Sequence, residues 1–267
     1  KQKLNEIKLL KNKSEFISHM SAWLNSKDYT NMPVGMIIGM EGADAITDPD
    51  QLHEWYDEGL RLISLSHYGV SNYSHGTGTG TDGGLVGKGK ELLIEMDKLN
   101  MILDVSHTSD ESVRQELEIF GGPIIATHQN CRSVAPGERQ FPDHQLQSII
   151  DRGGVIGHSM DTFMMWKTEI DWSDIPLPRP FPKDEVTLED FVDHIDHVCQ
   201  LSGNSLHSAI GGDTDGQGGM VGAPKEVDTV VDYQKIINLL EKRGYKNSDI
   251  ENIFYKNWKR FFAVNLP

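Results

Sequence analysis

The 267 residues carry a formal net charge of −15, with 40 acidic against 25 basic side chains, which argues against nucleic acid as a partner because a phosphate backbone asks for a basic face. Two cysteines, Cys131 and Cys199, are too few for a disulfide framework and read as free thiols, and no stretch approaches the ~20 apolar residues of a membrane span. The chain opens inside what reads as a helix, without an initiator Met or the apolar core of a signal peptide, so missing upstream material is expected. Localisation stays open, with a soluble protein of bacterial type in cytoplasm or periplasm as the expectation.

From Leu4 to Leu24 the spacing of Ile7, Leu10, Ile17, Met20 and Leu24 predicts one or two amphipathic helices. Val34 to Met40 reads as a buried strand ending at Glu41, and a carboxylate directly after such a run is unusual unless it has a job. A helix through Leu52, Trp55, Tyr56 and Leu60 leads to a strand over 62–66 that ends at His67. The glycine-rich stretch from Gly76 to Gly84 contains the G-x-G-x-x-G spacing at Gly78, Gly80 and Gly83. It does not directly follow a strand, so a mobile loop over the strand ends is the better reading than a dinucleotide site. A helix with Leu92, Leu93, Met96 and Leu99 precedes the strand from Met101 to His107, and Ser109 caps the next helix, with Val113, Leu117 and Phe120 on its apolar face. The strand from Pro123 to His128 follows, placing its histidine 21 positions after His107.

Beyond His128 a loop carries Arg132 and Arg139, a helix runs from Asp143 to Arg152, and Gly154 to Ser159 reads as a further strand. Met160, Met164, Met165 and Trp166 read as packing under a long loop, and 174–183 is proline-rich and irregular. Thr187 to Asp190 resembles a capping box that opens a helix, and the run from Ser205 ends on Asp213 and Asp215. Helices over 233–243 and 248–262 close the chain, the second opened by a box from Ser248 to Glu251.

Strands alternating with helices predict parallel βαβ units, in a (β/α) barrel or a doubly wound sheet. In both architectures active sites lie at the carboxyl ends of strands, where Glu41, His67, His107, His128 and Asp213 all fall. Singly, each has a plain structural reading, a hydrogen-bonded boundary histidine or a helix-capping aspartate. Together they supply the imidazole and carboxylate donors of catalytic zinc, and a carboxylate can bridge two ions that lower the pKa of a shared water to about neutral. Asp213 could then carry the proton and His67 hydrogen-bond the oxyanion, while Arg139 offers a fork that matches a substrate carboxylate.

The motifs Met40-Glu41-Gly42, Leu65-Ser66-His67, Leu103-Asp104-Val105-Ser106-His107, Ala126-Thr127-His128, Arg139 with Phe141-Pro142-Asp143, and Ile210 to Gly216 resemble, in order and spacing, the membrane (renal-type) dipeptidase family of the amidohydrolase superfamily. The resemblance runs from about residue 4 to Phe262. It implies a (β/α)8 TIM-like barrel formed as a single domain over 1–267, Zn2+ as cofactor with two ions in the complete protein, and a zinc-activated water that cleaves dipeptides. It also implies that Glu41 bridges the ions, His107 and His128 bind the second, His67 and Arg139 hold the substrate, and Asp213 is the acid/base that meets its amino end. A homodimer is compatible with it.

Three departures follow. No His-x-Asp pair stands upstream of Glu41, and His19 is followed by Met20 and Ser21, so the first barrel strand and two ligands of the first zinc are expected to be missing from this chain. Thr214 stands where Phe is usual and Tyr68 where Asn is common, which bears on substrate preference. The alternatives are a related amidohydrolase acting on another small amide, N-acyl amino acid or lactone, and an inactive binding barrel.

Overall fold

The computed structural model describes residues 6–80, 83–168, 185–214 and 222–267. The glycine-rich positions Thr81 and Asp82, the proline-rich 174–183, and Asp215 with Gly216 lie outside the described residues. The chain divides into two compact units, 1–124 with 258–267, and 125–257.

The first unit opens with a short strand, β1 (Ile7–Leu9), where the spacing had suggested helix. The helix α1 (Lys13–Asn25) begins only at Asn12, whose side chain accepts the Glu15 N–H at 2.9 Å while the Glu15 carboxylate accepts the Lys11 N–H at 2.8 Å. That reciprocal cap ends the strand and starts the helix. β1 pairs in parallel with β2 (Val34–Met36), Ile7 opposite Val34 and Leu9 opposite Met36. The single buried strand expected over 34–40 breaks at Ile37 into β2 and β3 (Ile38–Glu41), and neither is buried: Val34 and Met36 are exposed, and in β3 half-buried and exposed residues alternate.

The helix α2 (Leu52–Glu58) returns the chain to β4 (Leu60–Ser64), α3 (Gly89–Lys98) to β5 (Ile102–Asp104), and α4 (Asp110–Ile119) to β6 (Ile124–Ile125). These strands form one sheet in the order β3-β4-β5-β6, with β3–β4 and β4–β5 parallel. Ile63, Leu65, Leu92, Leu93, Met96, Ile102, Leu103 and Val113 are fully buried. Buried β-branched and aliphatic strands between amphipathic helices are what a parallel sheet covered by helices requires.

In the second unit α5 (Asp143–Asp151) precedes β7 (Ile156–Ser159), and α6 (Leu188–Ser202) precedes β8 (Ser208–Gly212), which pairs in parallel with β7. The Thr187–Asp190 capping box is present. Met160 and Met165 pack with Phe191, Val192 and Ile195 of α6. The chain closes through α7 (Lys235–Lys242), α8 (Asn247–Glu251), a single π turn over Asn252–Lys256, and α9 (Asn257–Asn265). At the start of α8 it is the Asp249 carboxylate that accepts a backbone N–H, that of Lys246 at 3.2 Å, in place of the box expected from Ser248 to Glu251. The fold is α/β with parallel sheets, and among the described residues no helix is long and apolar enough to cross a membrane.

Candidate metal centre and active-site residues

Glu41 is the last residue of β3, while His67 and His107 each lie three residues past the ends of β4 and β5. Chain direction in a parallel sheet brings all three to one end. One donor atom from each lies within 4.8 Å of the other two. His107 Nε2 stands 3.1 Å from Glu41 Oε1 and His67 Nε2 stands 3.7 Å from Glu41 Oε2, with the two imidazole centroids 4.3 Å apart. The His107 side chain is buried, whereas those of Glu41 and His67 are about half exposed, 46% and 49%. Imidazole and carboxylate gathered at this spacing are a donor set that fits a divalent transition metal, with its open side toward solvent. Tyr68, one of the departures from the family pattern, sets its ring edge-on to both imidazoles, 4.7 Å from each.

The backbone around these three residues is tied down by local polar residues. Ser64 Oγ lies within hydrogen-bond reach of the Ser66 and Ser106 carbonyls, at 2.6 and 3.2 Å, linking the ends of β4 and β5. Asp104 Oδ1 accepts the Ser106 N–H at 3.0 Å, just before His107 takes a left-handed φ of 65°. The segment over 74–77 then clasps His107: Thr77 N–H donates to the His107 carbonyl at 2.7 Å and Ser109 N–H to the His75 carbonyl at 3.1 Å. Gly76 is required here, since a Cβ would lie 1.8 Å from the His67 carbonyl oxygen.

Beneath the clasp Ser74 Oγ reaches Oε1 of Glu116, a fully buried carboxyl of α4, at 3.4 Å. Burial pushes its pKa up to about 8, with the Asp104 charge adding to the rise and the serine hydroxyl opposing it. Sequence reading missed Glu116. Its signal was position: it stands three residues after Val113 and four before Phe120, on the apolar face of its helix.

In the second unit His128 lies three residues beyond β6, and its Nδ1 is 2.8 Å from Thr127 Oγ1. Arg139 is fully buried, and its guanidinium donates to Gln129 Oε1 and, at 2.9 Å, to the His128 carbonyl. Gln129 Nε2 donates back to the Arg139 carbonyl at 2.8 Å. Among the described residues no carboxylate pairs with Arg139, and its Nε has no hydrogen-bond partner. A buried cation without a counterion is costly to keep.

Asp213 follows β8 with φ +63°, directly after Gly212 at φ +79°. Its Oδ2 accepts the Ser159 hydroxyl at 2.8 Å. His158 is fully buried, with Nδ1 3.1 Å from the Gln129 carbonyl and Nε2 3.0 Å from Ser208 Oγ. Burial pushes its pKa down to about 3.

A parallel α/β fold that gathers a carboxylate and imidazoles beyond its strand ends has the pattern of metal-dependent hydrolases. The family described as membrane dipeptidase (Peptidase family M19) matches residues 1–264, and the chain belongs to it. It is 30% identical over 227 residues to Dipeptidase verJ of Clonostachys rogersoniana, a match covering 84% of this chain and 53% of that protein. It is 27% identical over 234 residues to Dipeptidase 3 of Mus musculus, covering 85% and 43%. The chain thus spans about half the length of these curated relatives. Its fold is that of a solved Rhodobacter sphaeroides metallopeptidase liganded with a phosphinate mimic of the dipeptide L-Ala-D-Ala, at TM-score 0.78 and 23% identity over 98% of this chain and 70% of that one. The solved dipeptidase AC gives TM-score 0.79 at 23% identity, covering 98% and 72%.

Proposed function

We propose that the protein is a zinc-dependent dipeptidase, and the observation that carries this reading is the Glu41–His67–His107 cluster in a member of the membrane dipeptidase family. Glu41 and His107 are assigned as metal ligands on that geometry, and His128 as a ligand on the family resemblance alone. When bound, a divalent ion supplies a Lewis acid that lowers the pKa of water toward neutral. The remaining steps belong to the chain's own residues. His67, half exposed beside Glu41, donates to the carbonyl oxygen of the scissile bond as charge develops on it. Arg139 takes the substrate carboxylate, which supplies the missing counterion of a buried guanidinium. Asp213 accepts the proton released by the attacking water and returns it to the leaving amine, while one of its oxygens meets the free amino end.

The reading is tested by a substrate panel on the metal-loaded, full-length protein. Free dipeptides are expected to be cleaved with kcat/KM at least ~100-fold above N-acyl amino acids and lactones, because a site that pairs Arg139 with the carboxylate and Asp213 with the amine rejects analogues that lack one of those charges. Equal or faster turnover of an N-acyl amino acid or a lactone would replace this reading with the related-amidohydrolase one.

A further inference from the structure

Ser159 is the last residue of β7 and is fully buried. Its hydroxyl oxygen accepts the Asp161 N–H at 3.1 Å, which leaves its own hydrogen for Asp213 Oδ2 at 2.8 Å. The backbone on both sides of Ser159 is gripped by one buried side chain. Asn130 Oδ1 accepts the Ser159 N–H at 3.0 Å, and Asn130 Nδ2 donates to the Ser159 carbonyl at 3.1 Å and the Met164 carbonyl at 3.2 Å.

The acceptor is placed with equal definition. The register of β7 on β8 slips between His158 and Ser159, so Ser159 stands opposite Gly212, and the Met160 N–H donates to the Gly212 carbonyl at 2.7 Å. Such an irregularity re-aims the residues that follow it. Gly212 and Asp213 then take consecutive left-handed conformations, which aspartate tolerates better than most side chains. Among the described residues Oδ2 is bonded to Ser159 and no hydrogen bond reaches Oδ1.

We propose that Ser159 is a positioning residue: its hydroxyl commits Asp213 Oδ2 to the protein and presents Oδ1 to the free amino end of the substrate. The proposal rests on the dipeptidase reading. It requires that Ser159 act only through Asp213, which a purely structural serine would not do.

The test compares full-length, metal-loaded wild type, S159A, D213N and the double variant on a free dipeptide and its N-acetyl analogue. S159A is expected to lose about tenfold in its preference for the free amine, a cost in line with small misplacements of a reacting group; because D213N removes the acid/base group and its turnover with it, the D213N background is read in binding of the two compounds, where S159A is expected to add no further loss. A preference unchanged in S159A, or the same loss with and without Asp213, overturns the proposal. Should S159A fail to fold, S159C keeps the side-chain shape with a weaker donor and is read by the same criteria. A wild type that hydrolyses no dipeptide overturns the dipeptidase reading instead. Urea unfolding of the same four proteins then decides the bond itself: non-additive midpoint shifts support it and additive shifts overturn it.

Discussion

Glu41 is the residue on which both imidazoles of the first unit converge, and it carries the only formal negative charge in that cluster. Glu41→Gln keeps the shape and removes the charge, so affinity for Zn2+ is expected to fall by more than the ~10–100-fold that losing even an outer partner of a ligand costs. Calorimetric titration of the metal-free protein measures this, and an unchanged affinity would remove Glu41 from the centre. Arg139 makes a different case, because its charge survives a change to lysine while its geometry does not. Arg139→Lys is expected to raise KM for a free dipeptide about tenfold or more with a smaller effect on kcat, since one ammonium replaces a planar fork. At this scale the sequence showed residue types and order, and Glu41, His67 and His107 were legible because short apolar runs end on or just before them. Glu116 and Ser159 were not, since nothing in a single sequence says that a serine hydroxyl or one helical carboxyl will be buried against a particular partner.

The elements explain why His67 and His107 hold their places. The segment over 74–77 belongs to no helix or strand, yet two backbone hydrogen bonds fix it to the residues around His107, and Gly76 lets it pass the His67 carbonyl. Gly76→Ala forces these apart and is expected to cost ~1–3 kcal/mol of stability, as overpacking does, together with a measurable drop in metal affinity. Urea unfolding and metal titration of the same variant check both. Strands and helices of the βα repeat were readable from periodicity, since a buried parallel strand leaves an unbroken apolar run. The segment Ile7–Leu9 was misread because Ile7, Leu10 and Ile17 also fit a helical spacing. What makes it a strand is pairing with Val34–Met36, 27 residues away, which no local pattern encodes.

For the whole molecule, two fully buried groups hold opposite protonation states. Glu116 keeps its proton up to about pH 8, whereas its unfolded counterpart loses it near 4.5. The unfolded chain then binds fewer protons, so this contribution is complete below pH 4.5 and is lost as pH rises toward 8, at up to ~1.4 kcal/mol per unit. His158 stays neutral down to about pH 3 against 6.5 when unfolded, so its contribution is present above pH 6.5 and lost as pH falls toward 3. Glu116→Gln is therefore expected to be relatively more stable than wild type at pH 8 than at pH 5, by a few kcal/mol in urea unfolding. Equal differences at the two pH values would mean that Glu116 ionises normally.

The α/β class follows from the alternation of apolar runs and amphipathic segments, and the chemistry follows from what those runs deliver to their carboxyl ends. Metal-dependent cleavage of a free dipeptide by the full-length protein is the central proposal. Treatment with a chelator is expected to abolish hydrolysis, and Zn2+ is expected to restore it in wild type but not in Glu41→Gln. Hydrolysis that survives complete metal removal, or wild type that binds Zn2+ and cleaves no dipeptide, would contradict it.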